Sequence, residues 1–316
     1  MQAKVQFLNV GWGDAHLIRH PSGAVTLIDG GDGNRSPDQD HPEAWMTRNG
    51  IDKLDWMILT HIHEDHQNGL LDIAKRKTIG RAVLPYEPFE LPEEKLIEQT
   101  GSPMALRVYR MLASYLELIA ILQEQGTEII WRSSFGSEDR SVVWSEDGMT
   151  LRHLYPWHED PLPGYETIVQ AAQAEPAAAD RRPGELLESF FDLSNHDSSV
   201  YSLSADGQAS DEAAVLFGGD QLEPGWRRLS QRSSLAAQVW KVSHHGLSDG
   251  FNADILAWIR PQHCVIPIHA EQSKNLLPEW NRLRSVTEAP FHLTGDMRPG
   301  ENRVIVRGTI QIEIGY

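Results

Sequence analysis

An α/β fold in which two β-sheets pack between helices is the architecture predicted by this 316-residue sequence. Three observations carry it. Strand-like segments come in two blocks, near 4–60 and 128–268, and each block is followed by helical sequence. A long amphipathic helix separates the blocks. No break in composition divides the chain, so one domain over 1–316 is expected, although length alone, at ~150 residues per domain, would suggest two.

The first 30 residues are rich in strand. Residues 4–10 alternate, 16–19 continue the pattern, and 24–28 form an apolar run ending in Asp29-Gly30-Gly31. Glycine and Ser-Gly punctuation between them marks hairpins. Residues 31–43 are polar and read as loop, 54–60 as a short buried strand, and 61–69 as a loop entering a helix. The clearest helix is 104–125. Val108, Met111, Leu112, Tyr115, Leu118, Ile119 and Leu122 form one apolar stripe, Ser102 can cap its start, Pro103 suits its first turn and Gly126 can end it. It reads as a core-packing helix. Strands follow at 128–131 and 150–155. Residues 156–195, rich in Pro, Ala and Glu with two helical pieces, predict a surface insertion: a lid, a surface for a protein partner, or a solvated excursion. Strands resume at 198–203, 214–217, 238–242 and 263–268, and 302–314 reads as a closing hairpin. No internal repeat at a solenoid period is visible.

Composition narrows the function classes. With 40% hydrophobic and 23% charged residues, the chain is ordinary globular sequence, long enough for a sizeable core. No apolar run reaches the ~18 residues that span a bilayer. The opening MQAKVQFLNVGWGDAHLIRH has polar residues inside its first apolar stretch and reads as a strand, not a signal peptide. A single cysteine, Cys264, excludes an intramolecular disulfide and fits a reducing compartment, so a cytoplasmic protein is expected. Inside an apolar strand, Cys264 reads as inert packing. The net charge of −17 disfavours nonspecific adhesion to nucleic acid or anionic membrane. Bound cations would offset part of it.

The chemistry concentrates in Ile58-Leu59-Thr60-His61-Ile62-His63-Glu64-Asp65-His66. Zinc or manganese needs several nitrogen and oxygen ligands converging on one point, and a loop at a strand end supplies them without competing with sheet hydrogen bonds. Two histidines one residue apart point the same way in extended backbone, so His61 and His63 can share one metal. Asp65 and His66 turn toward a second. His244 and His245 are adjacent, and neighbours on a strand face opposite ways, so one of them is expected to bind metal. His245 is preferred, leaving His244 to protonate a leaving group or contact substrate.

Here the chain resembles the metallo-β-lactamase-fold hydrolases, whose signature is H-x-H-x-D-H after a strand. The resemblance runs along nearly the whole chain. It looks most similar to the branch containing the hydrolase domain of the competence DNA-uptake channel protein. Phe7-Leu8-Asn9-Val10-Gly11-Trp12-Gly13-Asp14-Ala15 and Leu27-Ile28-Asp29-Gly30-Gly31 are similar to that branch's opening. Gly126-Thr127, Leu154-Tyr155-Pro156, Leu216-Phe217-Gly218-Gly219-Asp220 and Lys241-Val242-Ser243-His244-His245-Gly246 match later landmarks in order. With no membrane-spanning part of the channel, a free-standing relative is expected.

The resemblance implies a four-layer αββα sandwich (α/β, or α+β by some schemes) with two divalent ions, Zn2+ or Mn2+, at the sheet edges. It implies that Asp220 bridges both ions; capping a turn is the alternative. It implies that Asp29 orients a ligand histidine by a hydrogen bond, against a simple turn-forming Asp-Gly. His196, in Asn195-His196-Asp197-Ser198-Ser199, becomes the candidate third histidine of the first metal, with His153 and His158 as rivals, because the branch's Asn-x-x-Ser pattern does not fix that histidine. His269 falls where another strand reaches the site edge, for substrate contact or a structural role. Leu277-Pro278 replaces a later His-Pro pair of the branch, a departure that bears on substrate handling. His16, His20, His41, His263 and His292 read as ordinary packed or exposed histidines.

The expected activity is metal-dependent hydrolysis, with Asp65, His244 and His245 in catalytic roles. Two close cations lower the pKa of a bridging water to give hydroxide near neutrality, and neutralise charge on the attacked centre. The nearest branch implies a phosphodiesterase or nuclease, with a phosphodiester, including nucleic acid, as substrate. Arg227, Arg228 and Arg232 are either a phosphate-steering patch or a solvated helix face. Hydrolysis of a small ester, lactone or thioester is the alternative that the acidity fits more easily. A non-catalytic scaffold is the third class, against which the full set of His61, His63, Asp65, His66 and Asp220 stands.

Overall fold

The computed structural model describes residues 3–37, 39–173, 182–205, 212–295 and 310–314. In chain order the strands of the first sheet are β1 (Ala3–Phe7), β2 (His16–Arg19), β3 (Val25–Ile28), β4 (Lys53–Ile58), β5 (Thr78–Leu84) and β6 (Glu128–Trp131). The second sheet holds β7 (Val142–Glu146), β8 (Met149–Tyr155), β9 (Val200–Ala205), β10 (Ala213–Phe217), β11 (Ala237–Lys241), β12 (His263–Ile266) and β13 (Phe291–Leu293). A last strand, β14 (Ile310–Ile314), returns to pair with β1. The orders are β14-β1-β2-β3-β4-β5-β6 and β13-β12-β11-β10-β9-β8-β7. In each sheet an antiparallel half passes into a parallel half, at β3–β4 and at β10–β11.

Strand alternation decides which layer each side chain joins. Val5, Phe7, Trp56, Ile58, Val215, Phe217, Val239 and Val265 form a core between the sheets. Leu17, Leu27, Met57 and Leu59 face the other way, onto α1 (Pro42–Arg48), α2 (Glu64–Ala74), α3 (Glu94–Thr100) and α4 (Pro103–Glu124). The next two helices, α5 (Pro163–Gln173) and α6 (Arg182–Leu193), join this same outer layer. Leu216, Trp240, Cys264 and Ile266 pack on the opposite outer layer, made of α7 (Glu223–Ser230), α8 (Ala253–Ile259) and α9 (Ala270–Leu283). The result is the expected helix–sheet–sheet–helix sandwich. No helix among the described residues is long and apolar enough to cross a membrane.

The long helix follows its sequence signals. Ser102 Oγ accepts the Ala105 N–H at 3.1 Å, and Gly126, with φ +75°, takes the left-handed step past the end. All seven residues of its predicted stripe are buried. The segment 156–195 differs from a solvated excursion. Ile168 and Ala171 of α5 and Leu187 and Phe190 of α6 are fully buried beside α4. Within 31–43, a helix begins at Pro42. Of the expected closing hairpin, 302–309 lies outside the described residues, and β14 pairs antiparallel with β1. Burial pushes the Cys264 thiol up, consistent with packing.

Candidate metal centre

Four strand ends aim the site. Ile28 of β3 lies opposite Ile58 of β4, and Phe217 of β10 opposite Lys241 of β11. Just beyond these ends come Asp29, then His61 and His63, then Asp220, then His244 and His245. Residues far apart in sequence thus meet at the carboxyl ends of parallel strands, where open α/β sheets place their sites. Two glycines permit the close packing. A Cβ on Gly69 of α2 would stand 1.8 Å from the Gly30 carbonyl oxygen. A Cβ on Gly13, whose φ is +137°, would stand 2.4 Å from the Asp65 carbonyl oxygen. A side chain at either position would push α2, with Asp65 and His66, off the site.

Ligand atoms gather in three groups, of which two share one carboxylate and the third is Asp14, Asp29 and His66. His61, His63 and Asp220 form the first; Asp65, His66, Asp220 and His245 form the second, with the atoms of each group within 4.8 Å of one another. Asp220 Oδ2 stands 3.2 Å from His66 Nε2, 3.3 Å from His245 Nε2 and 3.9 Å from His61 Nε2. Asp65 Oδ2 stands 3.2 Å from His245 Nε2.

Each imidazole is held by one nitrogen and offers the other. His66 Nδ1–H donates to Asp29 Oδ2 at 2.9 Å. The Thr60 hydroxyl donates to the same oxygen at 2.8 Å, so it accepts from His61 Nδ1–H at 3.1 Å, leaving Nε2 free. His63 Nε2–H donates to the Phe191 carbonyl at 2.9 Å, with Ser194 Oγ at 2.7 Å. His245 Nδ1–H donates to the Pro267 carbonyl at 3.0 Å. Such outer partners set the tautomer and raise ligand basicity.

These residues fit divalent metal ions. His61 Nε2 and His245 Nε2 are buried without a hydrogen-bond partner, a condition costing about 1–3 kcal/mol for each group. Imidazole nitrogens and carboxylate oxygens are the donors that zinc and manganese take. Burial alone would raise the Asp220 carboxyl; His245 and His66 outweigh it and hold that group well below the usual carboxylate range. Burial likewise pulls His66 toward neutrality, but Asp220, Asp65 and Asp29 push its pKa well above the usual value. The backbone is strained here too. Of the five non-glycine residues described with left-handed φ, three are Asp29, His244 and His245, at about 1–3 kcal/mol each.

The two adjacent histidines do separate, though not by strand pleating. β11 ends at Lys241, and His244 and His245 sit in a 3₁₀ turn with φ of 49° and 50°. His245 turns into the second group and is fully buried. His244 faces the neighbouring cleft, its Nδ1 2.8 Å from Asp249 Oδ1 and its Nε2 3.2 Å from the Asn195 amide. The structure does not bring His196 into any of these groups: it is half-buried in the turn Ser194–Asp197, and its carbonyl accepts from Gln221. His153 is buried against Phe135 and Tyr201, and His158 is exposed beside Glu159. His269 caps α9, its Nδ1 accepting the Glu271 N–H at 3.4 Å. Arg228 and Arg232 bind Asp160, at 3.1 and 2.8 Å, and Arg227 pairs with Glu223, so these arginines serve local structure.

Sequence reasoning gave no role to Asp14, Thr60, Phe191, Ser194, Ser198 or Lys241, which all touch the ligands or their partners. Asp14, Thr60, Ser198 and Lys241 lie inside the sequence motifs of the site, the one signal available for them. Within 156–195, α6 builds part of the site wall: the Phe191 ring stacks on His63 at 4.4 Å. The cleft over the ligands has a volume of about 450 Å3, and Trp12, Arg107, Phe191, Asn195 and His244 help line it. A larger groove of about 700 Å3, lined by Arg152, Ser202 and Arg232, contains none of the ligand residues.

No curated protein matches the sequence. Among solved structures, the chain is similar to a diphosphatase of the PhnP family, with 12% identity, 96% of this chain and 84% of that one covered, and a TM-score of 0.43. It is similar to CmlA, a diiron β-hydroxylase from Streptomyces venezuelae, with 11% identity, 99% and 54% coverage and a TM-score of 0.48. Zn2+-bound PqqB from Methylobacterium extorquens gives 10% identity, 95% and 87% coverage and a TM-score of 0.46. Residues 9–164, which carry His61, His63, Asp65 and His66, match the metallo-beta-lactamase superfamily, and the sandwich that completes the site with Asp220 and His245 is the metallo-β-lactamase fold.

Proposed function

We propose that this protein is a hydrolase that works with two divalent ions and cleaves a small phosphodiester. His61, His63 and Asp220 would hold one ion, and Asp65, His66, Asp220 and His245 the other. The sharing of Asp220 between two converging ligand groups carries the reading, since a single-ion site has no use for a carboxylate set between two. Bound as a pair, such ions supply an acidified water and offset charge on the attacked centre. The side chains do the rest. Asp249 fixes His244 through Nδ1, and the ring faces the cleft, where it would contact the substrate or its leaving alkoxide.

The walls argue for a small substrate. Asp32, Glu64, Asp65 and Asp220 line the cleft, and Arg107, the one arginine or lysine in its described lining, already donates to Glu64 at 2.8 Å. A long polyanion meets repulsion there, whereas a small diester brings one charge. The motifs that resemble the DNA-uptake hydrolase domain support phosphodiester over acyl chemistry. The acidic lining also supports a second reading, a neutral ester, lactone or thioester.

The test is a substrate panel on chelated protein reloaded with zinc or manganese: a chromogenic diester, cyclic dinucleotides, single-stranded DNA, RNA, a lactone and a thioester. The expected result is diester turnover that chelation abolishes and salt barely alters. Turnover of an acyl substrate, with every diester untouched under both metals, transfers the assignment to the second reading. Cleavage of DNA or RNA with steep salt dependence would correct the substrate's size.

A further inference from the structure

Behind the ligands lies a buried cation that metal binding by itself does not explain. Lys241 ends β11 and is fully buried. It continues the inward-facing row of Val239, into the space between the sheets. Burying an ammonium is costly unless it is closely paired, and Lys241 is. Its Nζ is ion-paired with the fully buried Asp14. It donates to the Gly219 carbonyl at 2.8 Å and stands 3.8 Å from Asp220 Oδ1.

Each of these contacts bears on a ligand. Gly219, at φ +49°, immediately precedes Asp220, so a hydrogen bond to its carbonyl holds the turn that aims the carboxylate. Asp14 lies 3.6 Å from His245 Nδ1 and 3.9 Å from His66 Nδ1. The two oxygens of Asp220 are distinguished: Oδ2 faces three imidazoles, and Oδ1 faces Lys241.

We propose that Lys241 is a positioning residue of the metal centre, gripping Asp14 and the Gly219 carbonyl so that Asp220 presents Oδ2 alone to both ions. This rests on the two-ion reading above. A rival role, plain charge balance, makes the opposite prediction. A fixed cation beside two cations repels them, so a neutral replacement would tighten metal binding, whereas loss of positioning weakens it.

The experiment is titration of chelated wild-type, Lys241→Met and Lys241→Arg chains with Zn2+ by calorimetry and with Co2+ by absorption, with circular dichroism to verify folding. Lys241→Met is expected to weaken binding of both ions by about tenfold or more, the scale seen when a ligand's supporting partner is removed, and to shift the Co2+ spectrum. Lys241→Arg should recover part of both. Wild-type or tighter affinity in Lys241→Met overturns the proposal. If that variant does not fold, the Asp14→Asn/Lys241→Met pair removes both halves of the buried ion pair. Weakened binding in it supports the proposal, and wild-type binding overturns it. A wild-type chain that takes up no ion sinks the two-ion reading itself, a result distinct from normal uptake by both chains.

Discussion

The Asp29 carboxylate accepts His66 Nδ1–H at 2.9 Å, and through the Thr60 hydroxyl it also sets the tautomer of His61. One acid outside the two groups that share Asp220 therefore supports a histidine in each. Asp29→Ala should lower affinity for both ions, by about 10–100-fold. Calorimetric titration of the chelated variant checks this. An effect confined to one ion would mean that the Thr60 link carries nothing.

Asp220 and Asp65 differ in kind. Asp220 belongs to the first and second ligand groups and Asp65 to the second. Asp220→Ala should abolish tight uptake of both ions, while Asp65→Ala should leave the first bound and mainly release the second. Normal uptake of two ions by Asp220→Ala would make that carboxylate structural.

The wall built by α6 yields a separate prediction. Ser194 Oγ lies 2.7 Å from His63 Nε2, so Ser194→Ala should loosen the first ion several-fold, on the order of 1 kcal/mol for one hydrogen bond. The second ion should stay put. Equal weakening of both would show that the substitution disturbs packing and not His63.

These partners mark where sequence reading reached its limit. His61, His63, Asp65 and His66 were legible because one strand-end loop carries them all, whereas Asp29 and Asp220 were legible only through the resemblance of their motifs to the family's. Phe191 and Ser194 reach His63 across sequence separations of 128 and 131 residues, which no local pattern reveals. β5 escaped notice because its burial runs exposed, buried, exposed, exposed, then buried three times, without a period of two. α1 has seven residues, too few to show a helical stripe. The separation of His244 from His245 was expected from strand pleating, yet left-handed backbone produces it. His196 shares a segment with Ser194 and Ser198, both at the ligands, but its 3₁₀ turn carries it outside the ligand groups.

Protonation gives a pH prediction. Burial draws the His245 ring toward neutrality, but Asp220, Asp65 and Asp14 outweigh it and raise its pKa from 6.5 to about 10. A pKa raised by folding contributes stability that is fully present below about pH 6.5 and is lost as pH rises through about 10. The chelated chain should therefore melt at lower temperature at pH 10 than at pH 7. Ions must displace this proton, so binding should release protons and tighten with rising pH over the same window. Calorimetry in two buffers of different ionisation enthalpy reads the release directly. Identical heats in both would contradict the protonated resting state.

The proposed two-ion centre is tested most directly by metal stoichiometry. Elemental analysis of the purified chain, followed by titration of the chelated protein with Zn2+ and Mn2+, counts the ions held by His61, His63, Asp65, His66, Asp220 and His245. The predicted result is close to two divalent ions per chain, with Asp220→Ala losing both. A chain that carries no transition metal and takes up none on titration would contradict the account.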